Sequence, residues 1–370
     1  MPAPVAPRAS RLLLDLAAAV EATRDVHEAD CLRADLAAQL VRSGHDAEGE
    51  AMLAELRARY RATPHERVTP WLNFAESTVD LQNGRGEEAL IKMRRAHALS
   101  QAIGLPLTAL AAASLASMYW NLQDADKAVG YASEALRVAV ENDRRARCRA
   151  SAVVAEILGM SRREADAGRW FVRARMHASL SGDHTALSVI GFNAAQTRLV
   201  VERQLALRNA NTAASTAIGK IQASRNYDEL FSISASDFTK LQTAQLFALV
   251  GKDSEAIELF EQLLSAAKLS SALRQRPSWL SELAWCYARC SLLDMALATA
   301  DLARHFSLAS LQLDDRAATH SRLGHVYEML GDHEKSRLHF EAAAPLWSQY
   351  EAFQDRCGHL VDTLVPPLES

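Results

Sequence analysis

Small and apolar residues recur along this chain with the period of a buried helix face, and one arrangement of them returns about every 40 residues. Its clearest copy runs Leu323-Gly324-His325-Val326-Tyr327, then Gly331-Asp332, Ser336, Phe340 and Ala343. Degenerate copies keep the register. One has Leu283-Ala284, Tyr287, Ala296, Ala300 and Ala303; another has Leu115-Ala116, Tyr119, Asp124, Ala128, Ala132 and Ala135. Further copies fall around Leu36-Ala37 and Gly44, around Gly84 and Ala89, around Val154-Ala155 and Ala167, and around Ala244 and Gly251. The turns within the units are expected near 44, 84, 123, 162, 251, 291 and 331. The long step from 162 to 251 leaves room for one masked unit, with helices expected near 185–203 and 206–224.

The steric logic is that of a stacked helix pair. Small residues let the first helix of a unit (helix A) approach the second (helix B), and the aromatic fills the gap where the next unit stacks. No pair can bury its apolar face alone, so several must associate. Gly104-Leu105-Pro106, Ser181-Gly182-Asp183, Arg276-Pro277 and Leu313-Asp314-Asp315 punctuate the joints between units. No proline occurs between Pro106 and Pro277, which suits long helices. The expected division is a disordered tail at 1–10, repeats at 11–224, a hinge or long connection at 225–237, repeats at 238–344, and a capping helix and tail at 345–370. Trp347, Tyr350 and Phe353 are expected to pack inward from that cap.

This pattern resembles the tetratricopeptide (TPR) repeat over nearly the whole chain, in a longer spacing similar to helical sensor regions of bacterial regulators. The resemblance implies an all-α, TPR-like α-solenoid, a right-handed superhelix of about eight antiparallel helix pairs plus a C-terminal capping helix. It implies a module that binds a protein or peptide in its concave groove as scaffold or adaptor. The alternative is a ligand-responsive bacterial signalling or transcription regulator with no recognisable output domain. In such repeats helix A lines the groove. The positions facing it here are Trp120 and Asn121, Asn193 and Gln196, Gln242 and Gln245, then Glu282, Trp285, Arg289, Arg322 and His325. Amide side chains can pair with an extended peptide backbone, Trp offers apolar area, and Arg can clamp a carboxylate.

Composition adds exclusions. A net charge of −4 argues against a general nucleic-acid binder. The apolar stretch at the start is interrupted by Asp15, and no uncharged run is long enough for a membrane span, so no membrane or nucleic-acid partner is expected and the expected compartment is the cytoplasm. A homodimer is left open. Five cysteines in no framework spacing read as reduced core thiols. His320, His325, His333 and His339 form the only local histidine concentration, without the one-turn spacing of a ligand pair, so no metal or cofactor is expected. No nucleotide-binding or hydrolase motif occurs, and the expected protein is not an enzyme. An arginine-rich run, from Arg144, Arg145, Arg147 and Arg149 to Arg162, Arg163, Arg169, Arg173 and Arg175, either docks an acidic or phosphate-bearing ligand or is a solvated face.

Overall fold

The computed structural model describes residues 10–208, 237–265, 276–306 and 308–367. Its helices run in chain order as α1 (Arg11–Ala22), α2 (Val26–Arg42), α3 (Asp46–Tyr60), α4 (Val68–Gln82), α5 (Gly86–Ala102), α6 (Leu107–Asn121), α7 (Ala125–Val138) and α8 (Arg144–Met160). They continue as α9 (Glu164–Ser181), α10 (His184–Arg208), α11 (Asp237–Val250), α12 (Asp253–Ser265), α13 (Arg276–Arg289), α14 (Leu293–Arg304), α15 (Leu313–Met329) and α16 (His333–Leu364). No strand occurs among the described residues. From α2 onward the helices alternate as A and B. The partner expected for α10 near 206–224 lies mostly outside the described residues, as do the 1–9 tail and residues 225–236 of the expected hinge.

Each A-to-B turn is closed in the same way. Residues 44, 84, 123, 162, 251, 291 and 331 all adopt a left-handed backbone, with φ from 58° at Gln123 to 83° at Gly44. The amide of the following residue then reaches the carbonyl five positions back, as in Arg85 N–H to Asp80 O at 2.8 Å and Asp332 N–H to Tyr327 O at 2.9 Å. This caps helix A and reverses the chain. Gln123, Arg162 and Ser291 take the conformation without glycine's freedom, so the geometry is imposed by the packing on either side.

Five residues after each turn stands a small buried side chain: Gly49, Ala89, Ala128, Ala167, Ala256, Ala296 or Ser336. The approach there is close. A Cβ at Gly49 would lie 2.6 Å from Val41 Cγ2 and 2.7 Å from the Ala37 carbonyl. At Gly324 it would lie 2.9 Å from the Phe340 ring, so the small residue on helix A and the aromatic on helix B are one contact.

Packing divides the chain into two compact units: residues 1–158, 163–190 and 357–370 in the first, and 159–162 with 191–356 in the second. In the first unit α1 precedes the first pair. Its start is tied to the end of α9, where Ser10 Oγ donates to Gly182 O at 2.6 Å and Arg11 Nη2 to Leu180 O at 2.6 Å. In the second unit a continuous apolar core joins α11 to α15 through Phe260, Trp279, Leu283, Tyr287 and Tyr327. The C-terminal end departs from expectation. No separate cap begins at 345; α16 runs unbroken through Pro345 to Leu364. Proline removes one helical hydrogen bond. Burial of Leu346, Trp347 and Tyr350 against Ala317, Ala318 and Leu207 keeps the helix continuous through it.

Among the described residues no helix is long and apolar enough to cross a membrane. All five cysteines are free thiols.

Candidate functional site

The second unit gathers nine of the eleven sequence-selected positions on its A helices. Gln242 on α11 donates through Nε2 to Gln196 Oε1 (3.1 Å) and to the Phe192 carbonyl (3.3 Å), both on α10. Glu282 on α13 accepts from Arg322 Nε on α15 at 2.7 Å. Trp285 stands between two guanidiniums, Arg322 at 5.3 Å and Arg289 at 5.6 Å from its ring, with His325 at 5.6 Å. Gln245 is buried beside Gln242, and Asn193 is half-buried on α10. Arg289 is also engaged structurally, by Asp253 at 3.2 Å and the Ala248 carbonyl at 3.4 Å. Trp120 and Asn121 lie elsewhere, at the end of α6 in the first unit, half-buried and exposed respectively.

This strip is far less solvated than helix-A register suggests. Gln242 is 1% exposed, Glu282 2% and Arg322 6%. The cause is a network that sequence reasoning missed. Arg203 on α10 donates to Asp315 Oδ1 on α15 at 2.6 Å, Ser278 Oγ donates to the same oxygen at 3.2 Å, and Arg203 Nη1 stands 4.0 Å from Glu282 Oε1. Asp314, buried next to this pair, has its carboxyl pushed up to about 7 by burial and then by the Asp315 carboxylate. Three buried acceptors in the strip take no hydrogen bond from any described residue: Gln242 Oε1, Glu282 Oε1 and Asp314 Oδ1; the buried Trp285 Nε1 donor is likewise unmatched. Buried polar atoms are rarely left so.

The first unit pairs its A helices differently. Asp35 on α2 and Arg145 on α8, 110 residues apart, form a two-pronged ion pair at 2.7 and 2.5 Å. Arg42 donates to Asp183 at 3.3 Å, and Asp183 also accepts the Ala186 amide at the start of α10. Arg149, one turn beyond Arg145, donates to Ser114 Oγ at 2.6 Å and lies over the Phe74 ring, with no carboxylate partner among the described residues. Burial, then the guanidiniums of Arg42 and Arg145, push it down to about 9, so it is still charged at neutral pH. Beside this cluster a cavity of about 340 Å³ opens between Leu12, Trp71, Leu107, Leu110, Arg144 and Arg145.

The arginine-rich run is thus not one face. Arg147 caps the carbonyls of Ala139 and Val140, Arg163 pairs with Asp166 and Asp362, Arg169 with Asp166, and Arg173 lies over Trp170. Among the histidines, His320 and His339 meet, with Nδ1 atoms 3.0 Å apart. No group of three metal-ligating side chains forms among the described residues.

No protein-family model matches the chain, and no curated protein matches it in sequence. Among solved structures, the TPR domain of P58(IPK) covers 96% of this chain and 95% of its own at 12% identity, with a TM-score of 0.29 too low to bear on the fold. The crystal structure of a Rap protein complexed with competence and sporulation factor is similar over 93% of each chain, with a TM-score of 0.59 at 12% identity. That likeness, with the seven identical turns and the small-residue contacts between helices A and B, identifies the fold: the chain is an all-helical, TPR-like α-solenoid.

Proposed function

We propose that this chain is a non-catalytic binding module that takes a protein segment, in extended form, along the inner helices α10, α11, α13 and α15. The observation that carries the reading is the set of buried acceptors without hydrogen bonds from any described residue, Gln242 Oε1, Glu282 Oε1 and Asp314 Oδ1, beside the buried, unmatched Trp285 Nε1. Left unmatched, such atoms carry a desolvation cost in the free chain. The amides and carbonyls of an extended peptide would match them at fixed spacing as the side chains of the strip turn toward it. Trp285, half-buried between Arg322 and Arg289, supplies apolar area for a side chain. The Rap protein of similar fold, whose crystal structure is of its complex with competence and sporulation factor, gives the reading a precedent in architecture only.

A second reading, a ligand-responsive regulator, is favoured by the Arg203–Asp315 pair. It ties α10 to α15, two inner helices 112 residues apart in sequence, and a segment competing for either group would shift them.

The test is selection of a displayed random-peptide library on the intact protein, followed by affinity measurement on Gln242→Ala and Trp285→Ala. The expected result is enriched sequences that lose tenfold or more on both variants. Enriched peptides that bind both variants as tightly as the unaltered protein, or no enrichment at all, would refute the site.

A further inference from the structure

The cavity of the first unit is separate from the strip just assigned, and its wall has an unusual charge balance. Arg145 is already satisfied by Asp35, in a two-pronged pair. Asp143, also in the wall, accepts the Val140 amide at 3.0 Å. Arg144 is different. It is half-buried, lines the cavity, and makes no ion pair or side-chain hydrogen bond with any described residue. Exposed arginines are often unpaired, but a half-buried guanidinium without an acceptor keeps part of its desolvation cost uncompensated. The opposite wall is apolar: Leu12, Trp71, Leu107 and Leu110. About 340 Å³ is within the range of small-molecule sites, and the lining combines an apolar side with a polar one of Asn142, Asp143, Arg144, Arg145 and Ser181, a mixture such sites commonly show.

We propose that this cavity binds an organic carboxylate, with its apolar arm against Trp71, Leu107 and Leu110 and its carboxylate clamped by Arg144. A guanidinium fork matches a carboxylate in a planar, two-bond geometry. Two features favour a single negative charge over a phosphate dianion. Only one guanidinium in the wall is unspent, and the Asp143 carboxylate in the same wall repels additional charge. A further positive charge stands near: Arg149, one turn beyond Arg145 on α8, has no carboxylate partner among the described residues. The carboxylate could belong to a free small acid or to the C-terminus of a peptide. The chemistry recognised is the same.

Calorimetric titration of the full chain separates these cases. The probes are 3-phenylpropionate, its neutral amide, acetate, inorganic phosphate, and N-acetyl-Gly-Gly-Phe with a free or an amidated C-terminus. The expected result is that at least one acid with an apolar arm binds tenfold or more tightly than its amide, with acetate and phosphate weaker. Binding of 3-phenylpropionate identifies a free acid as sufficient; binding of the peptide acid alone identifies a chain terminus. Arg144→Met lowers the affinity at least tenfold and Arg144→Lys less. Arg175→Met, an exposed arginine outside the wall, leaves it unchanged. Arg144 has no partner to lose, so both Arg144 variants keep the melting temperature of the parent. Equal affinity for acid and amide, no binding by either acid, phosphate binding as tight as the best acid, or full affinity in Arg144→Met would each overturn the assignment.

Discussion

Replacing Asp35 should destabilise the first unit more than replacing Arg145, although the two form one ion pair. The pair is two-pronged, at 2.7 and 2.5 Å, with the Asp35 side chain 3% exposed and that of Arg145 17%. Removing one partner of a buried pair costs about 3–5 kcal/mol, because the other is left charged and desolvated. Here the two orphans differ. Without Asp35, the guanidiniums of Arg42, Arg145 and Arg149 share the region with the carboxylates of Asp183 and Asp143, and Arg149 already feels the other two. Without Arg145, one source of that repulsion is gone, and Asp35 still accepts from Gln39 Nε2 at 3.2 Å. Asp35→Asn is therefore expected to cost about 3–5 kcal/mol, Arg145→Met about 1–2 kcal/mol less, and the double variant no more than Asp35→Asn alone. Urea melts followed by far-ultraviolet circular dichroism, compared at unchanged m, read these differences. An Arg145→Met cost equal to or above that of Asp35→Asn would show that the repulsion invoked here does not operate.

Three further outcomes follow from the same geometry. Ser291→Gly and Arg162→Gly should each stabilise by about 0.5–1 kcal/mol, since a left-handed non-glycine residue costs about 1–2 kcal/mol and glycine's added freedom when unfolded returns part of that; Gly84→Ala should cost about 1 kcal/mol or more in the same melts. Burial pushes the Cys31 and Cys148 thiols up to about 12 and that of Cys286 higher still, and Cys357 is buried, so Ellman's reagent at pH 8 should find only Cys290 reactive before denaturation and all five thiols after. Asp314 and His339 should tilt the pH profile of stability in opposite directions. Folded Asp314 holds its proton to about pH 7 whereas the unfolded carboxyl releases it near 3.8, so its contribution falls as pH rises between those values, and Asp314→Asn removes that fall. His339, pushed down to about 4 by burial and then by His320 and Arg304, contributes fully above 6.5 and loses that contribution as pH drops toward 4; His339→Phe flattens this limb in melts at pH 4.5, 5.5 and 7.5.

The repeat was readable in the sequence because its constraint is local and periodic. All seven turn positions inferred from the spacing carry a left-handed residue, including 123, 162 and 291, where no glycine signals it. The residues five places on are small and buried for the same reason, since helix B must approach helix A within the same unit. The C-terminus was less readable. Pro345 looks like a boundary in one dimension, and only the burial of Trp347 and Tyr350 against Ala317 and Ala318 shows why the helix continues through it.

Site residues divide along the same line. Helix-A register selects Gln242, Glu282, Trp285 and Arg322, because each stands at a position that repeats with the unit. It does not find Arg203 with Asp315, or Asp35 with Arg145, because these partners are separated by 112 and 110 residues and meet only after several repeats have turned. Those long-range pairs change what the register-selected residues are. A glutamate on a solvated inner face spends little on hydration; Glu282, held against Arg322 and facing Arg203, is 2% exposed and keeps one oxygen without a hydrogen bond. Removing Arg203 should therefore disturb the strip more than removing any register-selected residue, since it strips Asp315 of this ion pair and leaves Glu282 with Arg322, beside the buried Asp314. The strip owes its charge pattern to residues that no single repeat contains, and for that reason local pattern selects its residues without the long-range partners that bury them.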